Sequence, residues 1–105
     1  MRTVTIGKTK YNVKYTIRAL FIFEQIANKP FSIDKTIDNF IFFYSMILAN
    51  NQDKTPILDW NDFLDAVDKD PSLMKVYYET LADEAKMNNM MSNGEEKKAD
   101  NNKKK

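Results

Sequence analysis

The chain has 105 residues and a mass of 12.3 kDa, with 43% hydrophobic residues, 30% charged residues and a formal net charge of +1. That is one small domain, and a domain of this size buries under about 70% of its unfolded surface, which leaves little room for an enclosed pocket. Cysteine and histidine are both absent, which excludes disulfides, thiolate zinc sites, cysteine nucleophiles and histidine-based triads.

The small total charge hides a segregation. Residues 1–35 carry a net +5, residues 36–91 a net −6 and residues 92–105 a net +2. Such asymmetry steers two halves, or two copies, toward each other. Lys8, Lys10, Lys14 and Arg18 are scattered, unlike the concentrated basic face of a nucleic-acid binder. The beginning of the chain lacks the apolar stretch and small-residue cleavage site of a secretory signal. The apolar run from Phe40 to Ala49 is ten residues long, against roughly 20 for a membrane span. A cytoplasmic protein without nucleic-acid or membrane contact is expected.

Residues 2–6 and 10–15 alternate polar with apolar side chains, the period of a half-buried strand. Gly7-Lys8 supplies a turn between them. The reading is a β-hairpin over 2–15, with Val4 and Ile6 on one face and Tyr11, Val13 and Tyr15 on another. Thr16 caps a first helix over about 17–28. That helix is apolar over most of its circumference, so it is either central or covered by a partner. Pro30 ends it by disfavouring helical geometry at Lys29. Glu24, inside this helix, is read as meeting Arg18 or reaching water.

Asp34 or Thr36 caps a second helix over about 36–50. No face of that helix is polar, which makes it the most buried element expected. Asp59 caps a short third helix over about 60–69, whose apolar stripe is Trp60, Phe63, Leu64 and Val67. Asp70-Pro71 opens a fourth helix over about 71–90, because proline suits the first helical position. Residues 92–105 hold no aromatic or β-branched side chain and are expected to stay disordered. The predicted fold is therefore mainly α: an N-terminal hairpin, a compact bundle of about four helices spanning residues 1–91, and a loose Lys/Asn-rich tail.

Little in the text carries catalysis or a cofactor. Asp59, Asp62, Asp65 and Asp68 recur every third residue, but the calcium-loop pattern with its central glycine is missing, so they read as a solvated face. With only Gly7 and Gly94 there is no phosphate-binding loop. No enzyme, cofactor or metal site is expected. Seven Phe, five Tyr, one Trp and six Met are many for so short a chain. Part of that apolar material is expected on an adaptable surface for a client or a second copy. The candidate partner-binding residues are Phe21, Phe42, Phe43, Met46 and Tyr77.

Several stretches carry a family resemblance. They are Tyr15-Thr16-Ile17-Arg18-Ala19-Leu20-Phe21-Ile22-Phe23-Glu24-Gln25-Ile26, Lys29-Pro30-Phe31-Ser32, Tyr44-Ser45-Met46-Ile47-Leu48-Ala49-Asn50, Leu58-Asp59-Trp60-Asn61-Asp62-Phe63-Leu64 and Asp70-Pro71-Ser72-Leu73. In that order, over roughly residues 10–82, the chain resembles the tail assembly chaperones of long-tailed bacteriophages and related prophages. The resemblance implies a protein of the host bacterial cytoplasm that binds the tape-measure protein and keeps it soluble while tail-tube subunits polymerise around it. It also implies a longer form made by programmed frameshifting, for which Lys97-Lys98 and Lys103-Lys104-Lys105 are residues that adenine runs encode. A homo-oligomer is expected. The alternative is an oligomeric structural or regulatory protein of virion assembly without chaperone activity.

Overall fold

The computed structural model describes residues 1–99, with side chains through Lys86. Two antiparallel strands, β1 (Arg2–Ile6) and β2 (Thr9–Val13), are followed by α1 (Ile17–Ala27), α2 (Thr36–Asn50), α3 (Trp60–Lys69) and α4 (Leu73–Ala99). The predicted hairpin and four helices are all present.

The hairpin turns at Gly7-Lys8. Gly7 takes φ +65° while Lys8 does not adopt positive φ, the pattern of a type II′ turn with glycine at its first central position. The register pairs Arg2 with Val13, Val4 with Tyr11 and Ile6 with Thr9. Residues paired across a ladder share a face, so Val4, Ile6, Tyr11 and Val13 form one apolar layer rather than two, and all four are buried. An isolated hairpin is marginal in water; this one rests that layer on α2 and α4.

Thr16 caps α1 by accepting the Ala19 N–H at 3.1 Å. Asn28 ends it in the left-handed conformation, φ 58°, its N–H donating to the Glu24 carbonyl. The connector to α2 is then pinned by carboxylates. Glu24 is exposed and accepts the Phe31 N–H at 2.8 Å, while Arg18 bonds Gln52 instead. Neither Asp34 nor Thr36 caps α2. Asp38, inside its first turn, accepts the backbone N–H groups of Asp34 and Lys35 and the ammonium of Lys29, all at 2.8–2.9 Å. Asp38 is buried, so it satisfies the helix start from within, and Lys29 balances its charge.

α2 is the axle of the molecule. Every residue from Ile41 to Ile47 is buried. Phe42 meets Tyr15, Phe23 and Phe31 edge-on, with ring centroids 4.8–6.1 Å apart. Phe43 meets Phe63 of α3 at 5.4 Å and Tyr77 of α4 at 5.5 Å. Tyr44 packs on Trp60 and Phe63 of α3. Such aromatic pairs contribute about 0.5–1.5 kcal/mol each beyond the area they bury.

Asp59 caps α3 through the N–H groups of Asn61 and Asp62. α4 is entered through a tight turn at Asp70–Ser72 and begins at Leu73, two residues later than expected. Its backbone continues as helix to Ala99, past the end set by its apolar spacing. Of the tail expected at 92–105, residues 100–105 lie outside the described residues.

Candidate interaction surface

The structure separates the five candidate partner-binding residues. Phe42, Phe43, Met46 and Tyr77 are 0–1% exposed and belong to the core. They correct the expectation of a binding role at the surface. The reason is that α2 is covered from several directions along its middle: Phe42 packs on Phe23 of α1 and on Tyr15, Phe43 on α3 and α4, and Tyr44 on α3, so consecutive aromatics all find neighbours. Tyr77 is anchored further by its hydroxyl, which donates to Asn39 Oδ1 at 2.9 Å, and burial raises its pKa well above the usual phenol range. Of the five, Phe21 alone lies at the surface, 61% exposed, one turn from the exposed Ile17.

The larger apolar surface lies elsewhere. α1 buries Ala19 and Phe23, which leaves Ile22 and Ile26 along one flank. That flank and Leu48 of α2 face Ile57 and Leu58 of the α2–α3 connector across a groove of about 390 Å³. Beyond Ile26 and Leu48 the depression continues for about 550 Å³ between Ile37 and Ile41 of α2 and Trp60 of α3. The two share Ile26 and Leu48, so they make one trough running from the connector to the start of α2. Its walls are open to solvent: Ile57 is 65% exposed, Ile37 51% and Ile26 43%. Contiguous apolar surface of this kind marks interaction sites in soluble proteins.

The trough has a firm floor. The Tyr44 hydroxyl donates to the Leu58 carbonyl at 2.6 Å, which ties the connector to α2. Burial, with Asp59 nearby, raises the Tyr44 pKa above the ordinary phenol value. Arg18 bonds Gln52 on the rim, and Asn51 bonds Asn12 below it. One end of the trough opens into a second depression lined by Asp53, Asp59 and Asp62 beside Lys54 and Ile57. An apolar channel with an acidic mouth suits a partner whose apolar stripe is flanked by basic residues.

Sequence reasoning missed Ile22, Ile26, Ile37, Leu48 and Ile57 as surface residues. The signal was the near-continuous apolar circumference of α1, which requires a cover that the other described residues do not supply. Phe21 stands about 140° around α1 from Ile26 and does not join the trough.

Other chemistry is sparse. Asp59, Asp62, Asp65 and Asp68 are all exposed, and no group of metal-type ligands converges among the described residues. No helix among those residues is long and apolar enough to cross a membrane. No family model matches the chain, and no curated protein or solved structure matches it either.

Proposed function

We propose that this chain is a tail assembly chaperone that binds the tape-measure protein in the host cytoplasm and keeps it soluble until tail-tube subunits enclose it. One observation supports this above the others: the open trough of Ile22, Ile26, Leu48, Ile57, Ile37 and Trp60. Its open apolar walls suit the apolar face of an amphipathic helix laid along it, with anchors at i, i+3, i+4 and i+7. A tape-measure protein offers long helices with apolar stripes, which aggregate when uncovered. The mouth at Asp53, Asp59 and Asp62 favours client segments with basic residues beside the stripe. The family resemblance of residues 10–82 supports the same reading.

The test is coexpression with the long tape-measure protein of the same gene cluster. The client is expected to move into the soluble fraction and to copurify with this chain. Ile26→Asp and Ile57→Asp, which place a charge in the trough without touching the core, are expected to abolish both effects. A client that remains insoluble and alone in the presence of the wild-type chain contradicts the reading. It would favour an oligomeric structural or regulatory protein.

A further inference from the structure

The two edges of the hairpin are treated differently. With Gly7-Lys8 as a two-residue turn, Ile6 and Thr9 exchange hydrogen bonds, and so do Val4 and Tyr11. Thr3, Thr5, Lys10 and Asn12 therefore turn their backbone N–H and C=O groups outward, away from the partner strand. On β2 this edge is closed. The Asn51 side chain accepts the Asn12 N–H at 2.9 Å and donates to the Asn12 carbonyl at 2.8 Å, filling the place a neighbouring strand would take. Exposed Lys10 and Lys14 guard the rest of that edge. Covered backbone and edge lysines are how natural sheets prevent unwanted pairing.

β1 has neither device. Its segment Thr3-Val4-Thr5-Ile6 carries no charge, no proline and no bulge. The outward backbone groups of Thr3 and Thr5 have no hydrogen-bond partner among the described residues. The one charge on the strand, Arg2, is drawn back onto α4 by Asp83 at 2.8 Å and Glu79 at 3.1 Å.

We propose that β1 is the pairing edge for a second copy of this chain, with the two β1 strands antiparallel about a two-fold axis at Val4. The strand is self-complementary in that register. Thr3 of one copy lies opposite Thr5 of the other, and the four outward N–H groups meet the four outward carbonyls. The exposed Thr side chains stack as cross-strand pairs. Two hairpins become one four-stranded sheet, and the two closed β2 edges lie outermost, so growth stops at two copies. The site is distinct from the apolar trough, and the proposal does not depend on the identity of the client.

Sedimentation equilibrium on the full chain tests it, with an expected mass of twice 12.3 kDa. Thr5→Pro removes one outward N–H per copy and leaves the β1–β2 bonds in place. It is expected to sediment as a monomer with an unchanged helical spectrum. The absence of native cysteine permits a second test that does not depend on that variant folding. In the double variant Thr3→Cys/Thr5→Cys, oxidation is expected to link the thiol introduced at position 3 of one copy to the thiol introduced at position 5 of the other, because directly opposite residues lie about 5.5 Å apart at Cα. Thr3→Cys alone is expected to remain a monomer on a non-reducing gel, since equivalent positions sit two residues out of register. A wild-type monomer at high concentration, or equal cross-linking of the single and double variants, overturns the proposal. Client binding retained by Thr5→Pro and dimerisation retained by Ile26→Asp would show the two surfaces to be separate.

Discussion

The side-chain amide of Asn51 bonds both backbone groups of Asn12, one at 2.9 Å and the other at 2.8 Å. Asn51 follows the last residue of α2 and is itself buried; its amide also donates to the Ile47 carbonyl. One side chain therefore joins the hairpin to the central helix and closes the floor of the trough. Asn51→Ala leaves the Asn12 backbone groups and the Ile47 carbonyl to find new partners. It is expected to cost about 1–3 kcal/mol in chemical denaturation. Asn51→Asp keeps the acceptor and loses the donor, so it is expected to cost as much or more.

The core aromatics give a second expectation. Phe43 touches both Phe63 and Tyr77 and is fully buried. Phe43→Ala is expected to cost about 3–5 kcal/mol, a large share of the stability of so small a domain. Phe42→Asp is expected to unfold the chain, with loss of the helical spectrum, rather than to yield a folded protein deficient only in binding.

Much of the fold was legible because its signals are local. Thr16 and Asp59 cap helices through N–H groups two or three residues away, and Gly7 turns a two-residue loop; each depends on neighbours in sequence. The direction in which Phe42, Phe43 and Tyr44 point was not legible. Periodicity reports an inside and an outside only when polar residues mark the outside, and α2 is apolar both where it is buried, from Ile41 to Ile47, and where Ile37 is open to solvent. The Asp38 cap was missed because its partners are split between the connector backbone and Lys29, nine residues upstream. The trough was missed for a related reason. It forms where α1, α2 and the α2–α3 connector meet, and no single segment contains it.

Acid should act most strongly through Asp38. The Lys29 ammonium, followed by the backbone N–H groups of Lys35 and Asp34, lowers its pKa from the ordinary 3.8 to about 2. A carboxyl lowered on folding stabilises the native state above its unfolded value, and that contribution disappears as pH falls through the folded value. Thermal stability is therefore expected to hold down to about pH 4 and to drop between there and pH 2. Asp34 and Asp83, lowered by their contacts with Ser32 and Lys29 and with Arg2, act in the same direction. Asp38→Asn should be less stable near neutral pH and should lose less on acidification. A series of melting curves across that range checks both.

Surface changes in the trough are expected to leave stability almost untouched. Ile57 is 65% exposed and Ile37 51%. Ile37→Asp and Ile57→Asp should shift unfolding by no more than about 0.5 kcal/mol. Their effect should fall on client solubility alone, which distinguishes them from every core substitution above.

Trp60 provides the most direct measurement of the trough as a client site. It is the single tryptophan of the chain and lines the trough beside Ile26 and Leu48. Overlapping fragments of the tape-measure protein can be titrated against the full chain while Trp60 emission is recorded. A helix seated in the trough covers the indole, so the emission is expected to shift to the blue and saturate for at least one fragment. The shift should be absent in Ile26→Asp. Emission that no fragment changes, or a shift of equal size in Ile26→Asp, would contradict the account.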